Sequence, residues 1–284
     1  LMRVILAKSS GFCFGVRRAI EIAEKTAARG KEVFVHGDIV HNKDVVRRIQ
    51  KAGVRKIKKL GKGEGKILLI RAHGCSQKLL QEACSRGYEI VDATCPMVKH
   101  IHYLARKSQE EKRHLVVIGD RYHDEVRGIL GQVKGRAEVF PSHGRIPWER
   151  LKSLVPITVV VQSTEDLEKV NLLAEKFREK LGDVKFYNTI CQPTRKKQEE
   201  IRSLPKKSDV VIVIGSRSSA NTRRLYEIAR SLNPRTYWVE SVSELQPAWL
   251  VKAKTVAVTA GASTPDEITT AVVNYLRKAG KAER

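Results

Sequence analysis

The sequence predicts an α/β protein made of three related units with mainly parallel sheets. Continuous apolar runs such as Ile67-Leu68-Leu69-Ile70 and Val210-Val211-Ile212-Val213-Ile214 alternate with amphipathic segments along all 284 residues. That is the pattern of buried parallel strands covered by helices. A cysteine also recurs where a strand-like run gives way to a helix, at Cys13, Cys95 and Cys191. These three divide the chain into intervals of 82 and 96 residues, with 93 following Cys191. Near-equal intervals read as an internal repeat, with units over 14–95, 96–191, and 1–13 joined to 192–284.

Taken in order, Val4-Ile5-Leu6-Ala7 is a strand, and residues 17–29 form a helix that Gly30 ends. Residues 32–36 make a short strand leading to His41-Asn42, and 43–52 a helix. Residues 56–66 read as a basic, glycine-containing connector. The strand over 66–70 ends at Arg71-Ala72-His73-Gly74-Cys75, a helix starts at Gln77, and 89–91 deliver Cys95. A helix over 97–111 leads to the strand 114–119 and to His123-Asp124-Glu125. Strands follow at 137–140 and Ile157–Val161, the latter ending at Gln162-Ser163-Thr164. After a helix over Leu167–Lys180, residues 184–187 lead to Cys191. The last third has a charged helix over 193–204 and a strand over 209–215 ending in Ser216-Arg217-Ser218-Ser219-Ala220-Asn221. A helix over 222–232, strands at Thr236–Val239 and 255–259, and a helix over 266–278 complete it. The second of these strands ends in Ala260-Gly261-Ala262-Ser263.

Composition limits the partners. The 54 Lys and Arg against 31 Asp and Glu leave a net charge of +23. Such an excess attracts phosphorylated metabolites, nucleic acid or acidic proteins, and it equally describes the ion-paired surface of a heat-adapted protein. No apolar run approaches the ~18–20 residues that span a bilayer, and no export signal precedes the first strand. The expectation is a soluble, cytoplasmic protein without a membrane partner. Five cysteines, an odd number with no Cys-x-x-Cys, argue against a disulfide framework or a zinc ribbon.

The polar residues fall where open α/β units bind ligands, beyond the C-terminal ends of strands. There lie His41, His73, Cys95, His123, Glu125, Ser163, Cys191, Ser219, Asn221 and Ser263. Cys13, Cys95 and Cys191 share a helix-start setting, where the macrodipole and free N–H groups favour the anionic sulfur. Three thiolates without a histidine at ligand spacing favour an iron–sulfur cluster or Cu(I) over hard cations. Cys75 and Cys84 read as small buried hydrophobes. The serine-rich segment 215–222 and, more briefly, 260–263 offer hydroxyls, an amide and helix N–H groups, which is anion-binding chemistry. Neither matches a nucleotide-binding loop.

Together these motifs resemble the 4-hydroxy-3-methylbut-2-enyl diphosphate reductase family, the last enzyme of the non-mevalonate isoprenoid pathway. The resemblance rests on Gly11-Phe12-Cys13-Phe14-Gly15-Val16, Val40-His41-Asn42, Ala72-His73-Gly74, Asp92-Ala93-Thr94-Cys95-Pro96, His123-Asp124-Glu125-Val126, Gly215-Ser216-Arg217-Ser218-Ser219-Ala220-Asn221 and Thr259-Ala260-Gly261-Ala262-Ser263. It implies a cloverleaf of three α/β units around a central 4Fe–4S cluster, held by Cys13, Cys95 and Cys191 with one iron open. It implies that the substrate hydroxyl binds that iron, and that His41, His73, Ser219, Asn221 and Ser263 hold the diphosphate, with His123 and Thr194 in the same pocket. Glu125 occupies the position of the family's proton source, relayed through Ser163. Isopentenyl and dimethylallyl diphosphates would be the products.

The chain departs from the family at two of these positions. Ser163 stands where threonine is common, and Ala220 where serine or glycine is common; altered affinity is the most to expect. Two other readings use the same residues. A nucleic-acid-binding protein is supported by charge alone, without the aromatics or signatures of that class. An electron carrier or iron–sulfur sensor accounts for the thiols but not for the hydroxyl-rich loops. The basic surface suits an acidic electron donor such as ferredoxin or flavodoxin, and no specific nucleic acid is expected.

Overall fold

The structure, a computed structural model, describes residues 2–135 and 137–282. In it β1 (Arg3–Leu6) is followed by α1 (Phe14–Ala27), β2 (Val33–His36), α2 (Lys43–Lys51), β3 (Val54–Ile57), β4 (Ile67–Ile70), α3 (Gln77–Ser85) and β5 (Glu89–Asp92). Next come α4 (Pro96–Glu110), β6 (His114–Ile118), α5 (Asp124–Leu130), β7 (Glu138–Phe140), α6 (Trp148–Lys152), β8 (Ile157–Val161), α7 (Leu167–Lys180) and β9 (Val184–Phe186). The chain ends with α8 (Gln192–Ser203), β10 (Val210–Ile214), α9 (Ala220–Leu232), β11 (Thr236–Val239), β12 (Thr255–Ala260) and α10 (Asp266–Ala282).

The strands form three four-stranded sheets, in the orders β3-β2-β4-β5, β7-β6-β8-β9 and β11-β10-β12-β1. Every pairing is parallel. The three orders follow one rule: the second strand of the set lies at one edge and the fourth at the other. In the last sheet the fourth strand is β1, supplied from the start of the chain. The fold is therefore α/β with three like sheets, as the apolar runs required. All four residues of β4, and all five of β8 and β10, are buried. A strand with no exposed side chain must be covered on both faces, and the intervening helices do this. Burying each Val or Ile of such a strand contributes roughly 1.5–3 kcal/mol.

The chain packs as two compact units. Leu1–Val16, His41–Arg47 and Gln192–Arg284 form one, around the sheet that contains β1. Arg17–Val40 and Arg48–Cys191 form the other and hold the remaining two sheets.

Three elements differ from the reading of the sequence. The basic connector begins inside a strand, because β3 is a sheet edge whose Arg55 and Lys56 are exposed while Val54 is buried. The His123 segment opens a short helix, α5, and residues 148–152 form another, α6. Cys84 is exposed rather than buried. It lies on α3, whose one fully buried position is Ala83, so its thiol falls on the solvent side.

Candidate active site

The three recurrent cysteines have one backbone environment. The Cys13 N–H donates to the Ala262 carbonyl (3.1 Å), that of Cys95 to Ala72 (3.0 Å), and that of Cys191 to Ser163 (3.1 Å). Each acceptor lies two residues beyond the end of the strand next to the sheet edge: β12, β4 and β8. Each cysteine follows the edge strand itself, β1, β5 or β9, and the next residue opens a helix, α1, α4 or α8. In α4 that residue is Pro96, at a position where its missing N–H would have had no intrahelical partner. The Val16 N–H reaches the Cys13 sulfur at 3.5 Å. All three thiols are half-buried. Cys75 does not share the pattern: burial, with the Asp92 carboxylate adding to it, pushes its thiol up to about 12, unlike a metal-binding thiolate.

The larger unit places Glu125, His123, His73 and Ser163 around the adjacent strand ends. Glu125 is buried, 2% exposed, in the first turn of α5. The Ser163 N–H donates to its Oε1 (2.6 Å), and the Ser163 hydroxyl lies 2.7 Å from Oε2. Ser163 thus joins the carboxyl to the Cys191 peptide, which its carbonyl accepts. Burial raises the Glu125 pKa; the Ser163 hydrogen bonds oppose the rise and the charge of Glu165 reinforces it. The net effect favours the protonated acid. His123 caps α5, its Nδ1 accepting the Glu125 N–H at 3.2 Å. An accepting Nδ1 leaves Nε2 of the neutral ring as the N–H donor. The His123 and His73 rings meet edge to face, with centroids 5.6 Å apart. Arg71 holds Asp124 at 2.6 Å in a mostly buried ion pair, which fixes the start of α5 against the end of β4.

The smaller unit gathers the hydroxyl-rich loops. Ser219 caps α9, accepting the Thr222 N–H. Gly215, at φ +142°, begins the turn into it, and a Cβ there would meet the Thr264 and Thr222 hydroxyls at 2.6 and 2.8 Å. Asn221 is 4% exposed, yet neither its amide nitrogen nor its oxygen has a hydrogen-bond partner among the described residues. A buried amide left so is costly unless a ligand supplies the partner. Ser263, also buried, donates to the His41 carbonyl at 3.1 Å. Asn42 caps α2 next to it, receiving the Asp44 and Val45 N–H groups. Thr194 is buried in the first turn of α8, and Ala220 opens α9 with no polar side chain.

Reasoning from sequence missed the residues that hold these parts in place. Arg71 and Asp124 gave a faint signal, as opposite charges, one just past the end of β4 and the other at the start of α5. Lys197, 2% exposed in α8, gave none, because it sits within Arg195-Lys196-Lys197 and looks like one more surface charge.

The parallel sheets, three thiols pinned alike, a buried acid with a hydroxyl partner and hydroxyl-rich helix starts define a class. It is an α/β protein whose recurrent thiols, buried acid and hydroxyl-rich loops lie beyond the C-terminal ends of its strands, where open α/β sheets bind ligands. The family model described as LytB protein matches residues 4–277, and the chain belongs to that family. It is 38% identical over 280 residues to the 4-hydroxy-3-methylbut-2-enyl diphosphate reductase of Pelobacter propionicus, with 99% of both chains covered. With the reductase of Citrifermentans bemidjiense it shares 40% over 276 residues, covering 97% of each. A solved structure of (E)-4-hydroxy-3-methyl-but-2-enyl diphosphate reductase, described as the terminal enzyme of the non-mevalonate pathway, superposes with a TM-score of 0.70 at 34% identity. That match covers 98% of this chain and all of the other. The E-1-hydroxy-2-methyl-but-2-enyl-4-diphosphate reductase of Plasmodium falciparum superposes with a TM-score of 0.88 at 27% identity, covering 97% and 88%. Among the described residues no helix is long and apolar enough to cross a membrane.

Proposed function

We propose that this chain is a reductive dehydroxylase of (E)-4-hydroxy-3-methylbut-2-enyl diphosphate, forming isopentenyl and dimethylallyl diphosphates with loss of water. The observation that carries the reading is the thrice-repeated cysteine peptide, anchored each time to the neighbouring strand end. Three soft sulfur donors in matched, half-buried positions fit a 4Fe–4S cluster held by Cys13, Cys95 and Cys191. When bound, such a cluster supplies electrons and, with three protein ligands, Lewis acidity at its fourth iron. The division into units 14–95, 96–191 and 1–13 with 192–284 belongs to the same proposal: each unit contributes one thiol.

The chain's own residues supply binding and protons. The reaction consumes two electrons and two protons, so a general acid is needed, and burial raises the Glu125 pKa in the direction that favours its protonated form. Ser163 orients the carboxyl, and its N–H and hydroxyl stabilise the carboxylate left after transfer. His123 presents Nε2–H as a donor to an anionic ligand. His41, His73, Thr194, Ser219, Asn221 and Ser263 bind the substrate; the unsatisfied Asn221 amide supports a polar ligand at the start of α9. The net charge of +23 suits an acidic donor protein such as ferredoxin or flavodoxin, and the place of action is the cytoplasm. The test is anaerobic turnover of the allylic diphosphate by reconstituted protein with a chemical reductant. Both product diphosphates are expected; reductant consumption with no isoprenoid product would reject the reading.

A further inference from the structure

We infer that Lys197 and Glu200 of α8 are positioning residues that clamp the loop leading to Cys13 and so set the stability and reduction potential of the metal centre proposed there. The inference deepens the proposed function and rests on it only for the metal readouts below. Lys197 is a nearly fully buried cation. Its Nζ reaches the carbonyls of Ser9, Gly11 (3.0 Å) and Ala260 (3.1 Å). Only an ammonium has three hydrogens to serve three acceptors. Two of these carbonyls belong to the segment between β1 and Cys13, and the third is the last residue of β12, two residues before the carbonyl that holds the Cys13 N–H.

Glu200, three residues along the same helix face, grips that segment through its N–H groups. It accepts from the Lys8 N–H (2.6 Å), the Ser9 N–H (2.9 Å) and the Ser9 hydroxyl (2.6 Å). One side chain thus takes the loop's carbonyls and the other its amides. Gly11 completes the fit at φ +83°, where a Cβ would lie 2.6 Å from the Asp266 carboxylate. The loop that carries the first proposed ligand is fastened to the helix that starts immediately after the third, Cys191. A trans peptide points its N–H away from its C=O, so the grip on the Gly11 carbonyl also fixes the direction of the Phe12 N–H. Ligands held by such outer contacts bind metal more tightly than loose ones. A desolvated cation beside the loop also favours the more negative, reduced form of a bound cluster.

The test compares wild type with Lys197→Met, Lys197→Arg and Glu200→Gln, each checked for folding by circular dichroism. Amide hydrogen exchange of residues 9–16 in the metal-free proteins reads the clamp directly. We expect about tenfold faster exchange there in Lys197→Met, with the sheets unchanged. In anaerobically reconstituted protein, Lys197→Met should release iron to a chelator about tenfold faster. At the wild-type midpoint its oxidised-to-reduced ratio should rise about tenfold, or about 59 mV for one electron. Lys197→Arg, which keeps the cation, should recover most of both. If Lys197→Met does not fold, Glu200→Gln decides through exchange of residues 8–12, expected to be faster. Unchanged exchange, iron release and potential in a folded Lys197→Met, or unchanged exchange in Glu200→Gln where that variant decides, overturns the clamp. Wild type that takes up no cluster rejects the proposed function instead, and the exchange result then judges the clamp alone.

Discussion

Replacing Glu125 with Gln separates the chemistry of the buried acid from its structural place. Gln is isosteric, and both hydrogen bonds survive the change: its oxygen accepts the Ser163 N–H, and its NH2 donates to the Ser163 hydroxyl, which can accept as readily as it donates. No cavity opens and no partner is orphaned. Burial raises the Glu125 pKa above its unfolded value, so the folded state binds the extra proton in the interval between the two. Stability from this group is full below the unfolded value and falls as pH rises through the folded one, by about 1.4 kcal/mol for each pH unit separating them. Gln escapes that penalty. Glu125→Gln should therefore match wild type near pH 4 in denaturant unfolding and be the more stable at pH 8. Turnover of the allylic diphosphate should fall at least about a hundredfold, the usual contribution of a general acid, with iron content unchanged. Turnover within threefold of wild type, or lower stability than wild type at pH 8, would refute the reasoning.

Serine in place of Cys13, Cys95 or Cys191 should abolish a stable cluster in iron and sulfide analysis, whereas Cys84→Ser, at an exposed thiol, should leave both wild type. Asn221→Leu removes a buried amide with no hydrogen-bond partner among the described residues; stability should hold or rise by about 1 kcal/mol, while KM for the diphosphate rises at least about tenfold. Gly74 sits at φ +72°, and a Cβ there would approach the His102 ring to 2.5 Å. Gly74→Ala should cost roughly 1–3 kcal/mol in unfolding experiments and raise KM through displacement of the neighbouring His73.

Much of this architecture was legible in the sequence because the central strands have no polar face. Val210–Ile214 can only be the middle of a covered sheet, and the strand end it implies locates Ser219 and Asn221. The cysteines were legible through recurrence, since three strand–Cys–helix junctions at near-equal intervals repeat one structural rule. Edges and short helices were not. β3 has only four residues, two adjacent charges between two apolar ends, and α5 is seven residues long and contains Gly128. Lys197 could not be read from periodicity either. Its role depends on carbonyls far away in sequence at Ser9, Gly11 and Ala260, and composition says nothing about where a lysine's head group ends.

The central claim is that Cys13, Cys95 and Cys191 together hold a cluster with one iron lacking a protein ligand. Mössbauer spectroscopy of anaerobically reconstituted protein, with and without the allylic diphosphate, tests it most directly. The expected result is three similar iron sites and one distinct site, with the distinct site alone changing when the diphosphate is added. Four equivalent irons indifferent to the diphosphate, or no iron retained after reconstitution, would contradict it.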